Sequence, residues 1–318
     1  LSYELGYTDV ALNELKDFVA NYPRSEYNTE AKELLVNVLA NTNNYKEALD
    51  LVSGLKTQTE TVKKVYPKIL YGRAVELVND QQIVQADNLL NAVYVAEYNT
   101  AQLPYANFWK GEIAFRTNQY DSAVYYLGEY MRNPVNSGEV NATNARYTLG
   151  YSALRQEDYT NAQKYFEGIT TSLSASSTPL EQDAYARSAD CYFMKKNYSK
   201  AMQMFDNILS KNGKGADYAL FQKAIITGAS GQYAQKITLL QSVPQRFPSS
   251  TLAPDANMEI ANTYLATEKY DAAIPPLNDI LKNKNAESLK PQAYLKLGIA
   301  YYNQENNNEA LNNFKKLI

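Results

Sequence analysis

The sequence predicts an all-α chain of tandem two-helix repeats, and three regularities predict it. A small residue recurs at near-constant spacing: Ala11, Ala48, Ala86, Ala123, Ala162, Ala201, then Lys236, then Ala273 and Ala310, 35–39 residues apart. Apolar residues keep fixed places four and seven residues after each of these anchors, which puts them on one helix face. Proline falls four times at a single place, nineteen residues before the anchor. A period of this size marks a solenoid, in which a unit buries its apolar face only by stacking on its neighbours.

Each unit reads as a helix A followed by a helix B. Pro67, Pro104, Pro254 and Pro291 mark the start of helix A. Proline suits a first turn, where the missing N–H would have had no intrahelical partner. Twelve residues before the anchor, helix A carries Ala74, Gly111, Gly150, Ala189, Ala224, Ala261 and Gly298, with Val36 the larger exception. Small residues there let an antiparallel neighbour come close. Helix B carries tyrosine three residues before the anchor at Tyr45, Tyr120, Tyr159, Tyr198, Tyr233 and Tyr270, with Ile83 and Asn307 departing. Its apolar face continues four residues after the anchor through Leu15, Val52, Leu90, Leu127, Phe166, Phe205, Leu240, Leu277 and Phe314. Pro23 and Pro248 stand where helix B should stop.

Three departures follow in chain order. The stretch Ser172–Ser177 reads as a loop joining repeats. Lys236 replaces the anchor alanine, which predicts a looser helix pair. Pro275 and Pro276 remove two donors just after an anchor, so the helix there should bend or start late. In all, about seventeen helices and essentially no strand are expected.

Composition narrows the function classes. At 318 residues the chain exceeds what one compact core usually serves, and a formal charge of −3 leaves no electrostatic footprint for nucleic acid. No apolar run approaches the roughly 20 residues of a membrane helix. With no histidine and one cysteine, Cys191, the sequence excludes Ser-His-Asp triads, histidine acid–base catalysis and a cysteine-based zinc site within the chain. The 28 tyrosines against 9 phenylalanines suit a thin solenoid, where each phenol lies near solvent or a polar partner.

Gly150…Tyr159–x–x–Ala162–x–x–x–Phe166 and Ala189–x–x–Tyr192…Tyr198–x–x–Ala201–x–x–x–Phe205 resemble the paired-helix signature of the tetratricopeptide repeat (TPR) family. The resemblance covers essentially the whole chain in eight to nine copies. It implies an α-α superhelix, one continuous array over residues 1–318, with helix A lining a concave face. The period near 37 rather than the family's 34 implies longer helices or loops. Leu1 and Ile318 fall inside helices of this register, so both ends read as cut from a longer, bacterial chain. The tyrosine- and asparagine-rich, histidine-free composition resembles that of Gram-negative envelope proteins, which implies the cell envelope or periplasm.

In that family, ligands lie in the concave groove against helix A. Carried across position by position, the resemblance nominates Tyr71, Phe108, Glu112, Phe115, Tyr147, Tyr151, Phe193 and Phe221 as partner-binding residues. The basic residue with which chaperone-binding members grip a C-terminal carboxylate has no counterpart here, so a chaperone tail is not the expected partner. Two readings of the aromatic stripe stay open: a groove for an apolar or helical segment, or rings packed against neighbouring helices. Arg116 and Arg155 share a position in adjacent repeats, but Glu112, four residues before Arg116, offers an ordinary intrahelical partner. Trp109 is a candidate surface anchor, and Cys191 reads as a packed thiol. No phosphate loop, dinucleotide fingerprint or nucleophile elbow is present. The expected function is a non-catalytic protein–protein interaction scaffold or adaptor without cofactor or metal. The alternative is an accessory arm of a larger enzyme or a self-assembling structural element.

Overall fold

The computed structural model describes residues 5–211 and 213–317; Leu1 and Ile318, on which the reading of cut ends rests, lie outside them. It divides into two compact units, residues 1–158 and 159–318. The first holds α1 (Thr8–Asn21), α2 (Asn28–Asn41), α3 (Tyr45–Ser53), α4 (Glu60–Asn79), α5 (Ile83–Val95), α6 (Leu103–Arg116), α7 (Tyr120–Arg132) and α8 (Ala142–Arg155). The second holds α9 (Tyr159–Glu167), α10 (Pro179–Met194), α11 (Tyr198–Lys211), α12 (Ala216–Ala229), α13 (Tyr233–Arg246), α14 (Ala253–Ala266), α15 (Tyr270–Lys282), α16 (Lys290–Asn303) and α17 (Asn307–Phe314). Among the described residues there is no strand, only an isolated bridge between Ser137 and Val140.

Every odd-numbered helix begins three residues before its anchor, so the anchor lies in the first turns of helix B. The anchor alanines are buried in both units, and Leu90, Leu127, Phe166, Phe205, Leu240 and Leu277 beneath them are fully buried. The close approach opposite them is real. A side chain at Gly111 would run into Leu127, and one at Gly298 into the ring of Phe314.

The turn from helix A to helix B has one geometry. Five residues before the anchor, Asn43, Gln81 and Asn118 in the first unit, and Lys196, Gly231, Glu268 and Glu305 in the second, have φ between 57° and 79°. The following residue donates its N–H back to the helix: Asn44 to the Leu39 carbonyl, Gln119 to Ala114 and Lys269 to Tyr264, each at 2.8 Å. This is the Schellman stop, in which one left-handed residue satisfies the last carbonyls and reverses the chain. Tyr45 and Tyr120 each donate from their hydroxyl to the left-handed asparagine of their own turn, Asn43 at 2.6 Å and Asn118 at 2.7 Å.

The prolines behave as expected in three of four cases. Pro104, Pro254 and Pro291 occupy the first turn of α6, α14 and α16. Pro67 does not start its helix: α4 begins at Glu60 and carries Pro67 in its interior. The extra turns bury Val62 against Val36, Val52 and Ile69, and tie Glu60 to Tyr98 and Lys63 to Glu97. That packing outweighs the hydrogen bond that Pro67 forfeits. Pro275 and Pro276 also lie inside a helix, α15, which starts at Tyr270 in the common register, so a late start is not the explanation for them. The long period comes from helix B, which runs to 13–14 residues in α5, α7, α11, α13 and α15. Where it is shorter, in α9, the Ser172–Ser177 loop supplies the length.

Lys236 does not leave a gap. Its alkyl stem lies where a side chain at Gly228 would be, and its Nζ meets Glu259 Oε2 of α14 at 2.7 Å. The other repeats carry a side chain at the Gly228 position, Leu265 in the next one, above an alanine anchor. Glycine and lysine have exchanged volumes, and α12 and α13 keep their fit. Gly228→Leu alone should overpack and Lys236→Ala alone should leave a void, each costing about 1–3 kcal/mol. The double variant restores the Leu265/Ala273 arrangement and should recover at least about 1 kcal/mol relative to additivity. Urea denaturation of the four proteins measures this, and strictly additive losses would refute the exchange.

Candidate functional site

The nominated residues lie on α4, α6 and α8 of the first unit and on α10 and α12 of the second. In the first unit the nominated side chains divide by environment. Phe108 is 2% exposed and meets Trp109 and Tyr130 edge-on at 5.6 and 5.4 Å between centroids. Trp109 is 4% exposed, so it is a core residue and not a surface anchor. Tyr71, half-buried, stacks obliquely on Tyr105 at 5.2 Å. Burial pushes its hydroxyl up to about 12, with the Trp109 indole offsetting part of the effect. Tyr147 and Tyr151, one turn apart on α8, meet edge-on at 4.9 Å and are both partly exposed.

Two nominated rings lean elsewhere. Phe115 packs on Tyr120, and Phe193 in the second unit on Tyr198, the opening tyrosine of helix B in their own repeats. Phe221 is half-buried against the cluster of Ala224, Leu240, Ala256 and Ile260.

Phe108, Glu112 and Tyr147 do come together. They line an open cleft of about 250 Å³ between α6 and α8, with Trp109, Arg116, Glu139, Asn144 and Thr148. Glu112 accepts a 2.5 Å hydrogen bond from the Thr148 hydroxyl, so its close partner is on the next helix A rather than Arg116. Burial raises the Glu112 carboxyl above its ordinary value, the Thr148 bond and the charge of Arg116 pull it back, and Glu139 adds to the rise. Arg116 and Arg155 are both exposed at the ends of their helices.

The second unit carries a polar network that sequence reasoning missed. Tyr218 of α12 donates to both oxygens of Asp190 on α10, at 2.9 and 2.8 Å. Arg187 pairs with Asp190 and Asp183, donates to the Tyr218 hydroxyl at 2.9 Å and lies over its ring at 4.5 Å. Gln222 donates to the same hydroxyl at 2.7 Å. The signal was in the sequence, as the Asp183/Arg187 spacing of four and Tyr218 in the next helix A, but only the fold shows that these meet. Cys191, fully buried, is the packed thiol expected, its pKa pushed up to about 12 chiefly by burial. Among the described residues, no group of three or more His, Cys, Asp or Glu is placed to hold a metal ion. No helix among them is long and apolar enough to cross a membrane.

Comparison with known proteins bears on this geometry. The tetratricopeptide repeat family model matches residues 147–217 and 258–318. Over those residues the chain carries tetratricopeptide repeats. It is similar in fold to a tetratricopeptide repeat protein from Parabacteroides merdae, at 18% identity over 79% of this chain and 92% of that one, with a TM-score of 0.58. It is also similar to the apo form of RapI, at 10% identity over 98% of both chains, with a TM-score of 0.55. No curated protein sequence matches it. The TPR fold generally mediates protein–protein interaction and is typically non-enzymatic.

Two measurements test the site's chemistry. Phe108→Ala should cost about 3–5 kcal/mol of stability, as for a buried phenylalanine, and Tyr147→Ala distinctly less. Equal losses in thermal melts would contradict the division drawn between them. Burial lifts Asp190 from 3.8 to about 6, against the opposing pull of Arg187 and Tyr218. A carboxyl whose folded pKa is raised binds protons more readily folded than unfolded. Its burden on stability is therefore full above about 6 and relieved as pH falls from there towards 3.8. Between pH 7 and pH 5 the melting temperature should rise more in the parent protein than in Asp190→Asn, and parallel profiles would refute the shift.

Proposed function

We propose that this chain is a non-catalytic scaffold that binds a protein partner on the helix-A side of its first unit, with Tyr147, Tyr151 and Tyr71 as the contact aromatics. The observation that carries the reading is the open cleft between α6 and α8, lined by the partly exposed Tyr147, itself paired edge-on with Tyr151, and by the buried Phe108 and Trp109. A rigid base under accessible rings is the arrangement of an interface hot spot, because the anchors lose little freedom on binding. Phe108 supports that surface from below, and Phe115 and Phe193 brace the turn to helix B. The fold family's general role in protein interaction supports the same reading.

Site-specific photo-cross-linking tests it. Cross-linkers at Tyr147 and Tyr151 should capture the partner, while one at Tyr125, an exposed ring on helix B, should not. Capture from Tyr125 with none from Tyr147 or Tyr151 would place the interface on the opposite helices and end the proposal.

A further inference from the structure

The α6/α8 cleft combines features that a purely apolar groove would lack. Its walls carry two carboxylates, Glu112 and Glu139, against one guanidinium, Arg116, and three aromatic rings, Phe108, Trp109 and Tyr147. Glu112 is half-buried, and its hydrogen bond comes from a neutral hydroxyl. A half-buried carboxylate compensated by one neutral hydroxyl and the charge of the exposed Arg116 still gains from a cation brought to it. Aromatic faces attract the same class of group, guanidinium above all, through their quadrupoles. The volume, about 250 Å³, is below the ~300–1,000 Å³ of pockets that enclose a drug-sized ligand and suits one long side chain.

We infer that this cleft is a socket for a basic side chain of the bound protein, an arginine in preference to a lysine. The inference rests on the helix-A face being the binding surface and adds the chemistry of what enters it. The planar guanidinium lies against Tyr147 while its N–H groups reach Glu112 and Glu139. Arg116, at the rim, carries the same sign as the guest and weakens its binding.

Trp109, the single tryptophan of the chain, lines the cleft and reports on it directly. Titration of the full chain with N-acetyl-arginine amide, followed by Trp109 fluorescence, should give a saturable change. N-acetyl-citrulline amide, of the same shape without the charge, should bind about tenfold or more weakly, as for loss of one partly buried charge pair. Glu112→Gln keeps an acceptor for Thr148 and should cost a similar factor, whereas Arg116→Gln should tighten binding. A merely structural role for these residues would not move them in opposite directions. Should Glu112→Gln fail to fold by circular dichroism, Glu139→Gln, at an exposed site, should weaken arginine binding instead.

Equal binding of the arginine and citrulline probes, or arginine binding indifferent to both Glu variants, overturns the socket. The cross-linking result stands apart. Capture from Tyr147 with no arginine preference removes the socket and keeps the face. Arginine binding without capture from Tyr147 or Tyr151 keeps the socket and removes the proposed partner surface.

Discussion

The closeness of helix A to helix B governs the rest of this structure. Antiparallel helices reach that distance only where one presents almost no side chain, and Gly111 and Gly298 leave no room for even a methyl group against Leu127 and Phe314. Because the anchor alanines and the residues four beyond them from Val52 to Leu277 are buried in that contact, a helix pair has one register. The left-handed residue five before the anchor then follows as geometry, since the chain must reverse within a few residues to meet it.

Within such a frame, polar residues are tolerated where they find partners. Lys110, 7% exposed, reaches Asp87 and Asn91 on α5 at 2.7 and 2.9 Å and lies over the Tyr126 ring. Tyr94 donates to Asn107, and Tyr192 to Glu167. The abundant tyrosine and asparagine are therefore parts of a shared hydrogen-bonding scheme that spans neighbouring helices. Burial raises the pKa values of Glu112 and Asp190 even though Thr148 donates to the first and Tyr218 and Arg187 donate to the second.

The repeat register was legible in the sequence because it depends on local periodicity and on small residues, which a linear reading detects. All nine helix-B starts follow from the anchor. The start of α4 did not, because Val62 gains its burial from helices distant in sequence, and no local rule weighs that against an interior proline. The left-handed turns were hidden for a different reason. Glycine is the usual signal, yet Gln81, Lys196, Glu268 and Glu305 occupy them, held there by the helix contacts on either side. At the candidate site, the offsets identified which residues share a helix face. They left open which of those rings face solvent, and Phe108 and Tyr147, at one offset, differ because Trp109 and Tyr130 enclose only the first.

The Gly228–Lys236 exchange bears on how such a chain changes over generations. Most repeats here are interchangeable parts, since each presents an alanine anchor to a helix of standard shape. The unit of α12 and α13 is different: its lysine needs the absent side chain at Gly228 behind it and Glu259 of the following repeat ahead of it. Copied alone, it would strand a partly buried ammonium without its counter-ion, as the unit of α6 and α7 would leave Lys110 without Asp87 of the preceding repeat. An anchor compensated in this way ties one module to its successor.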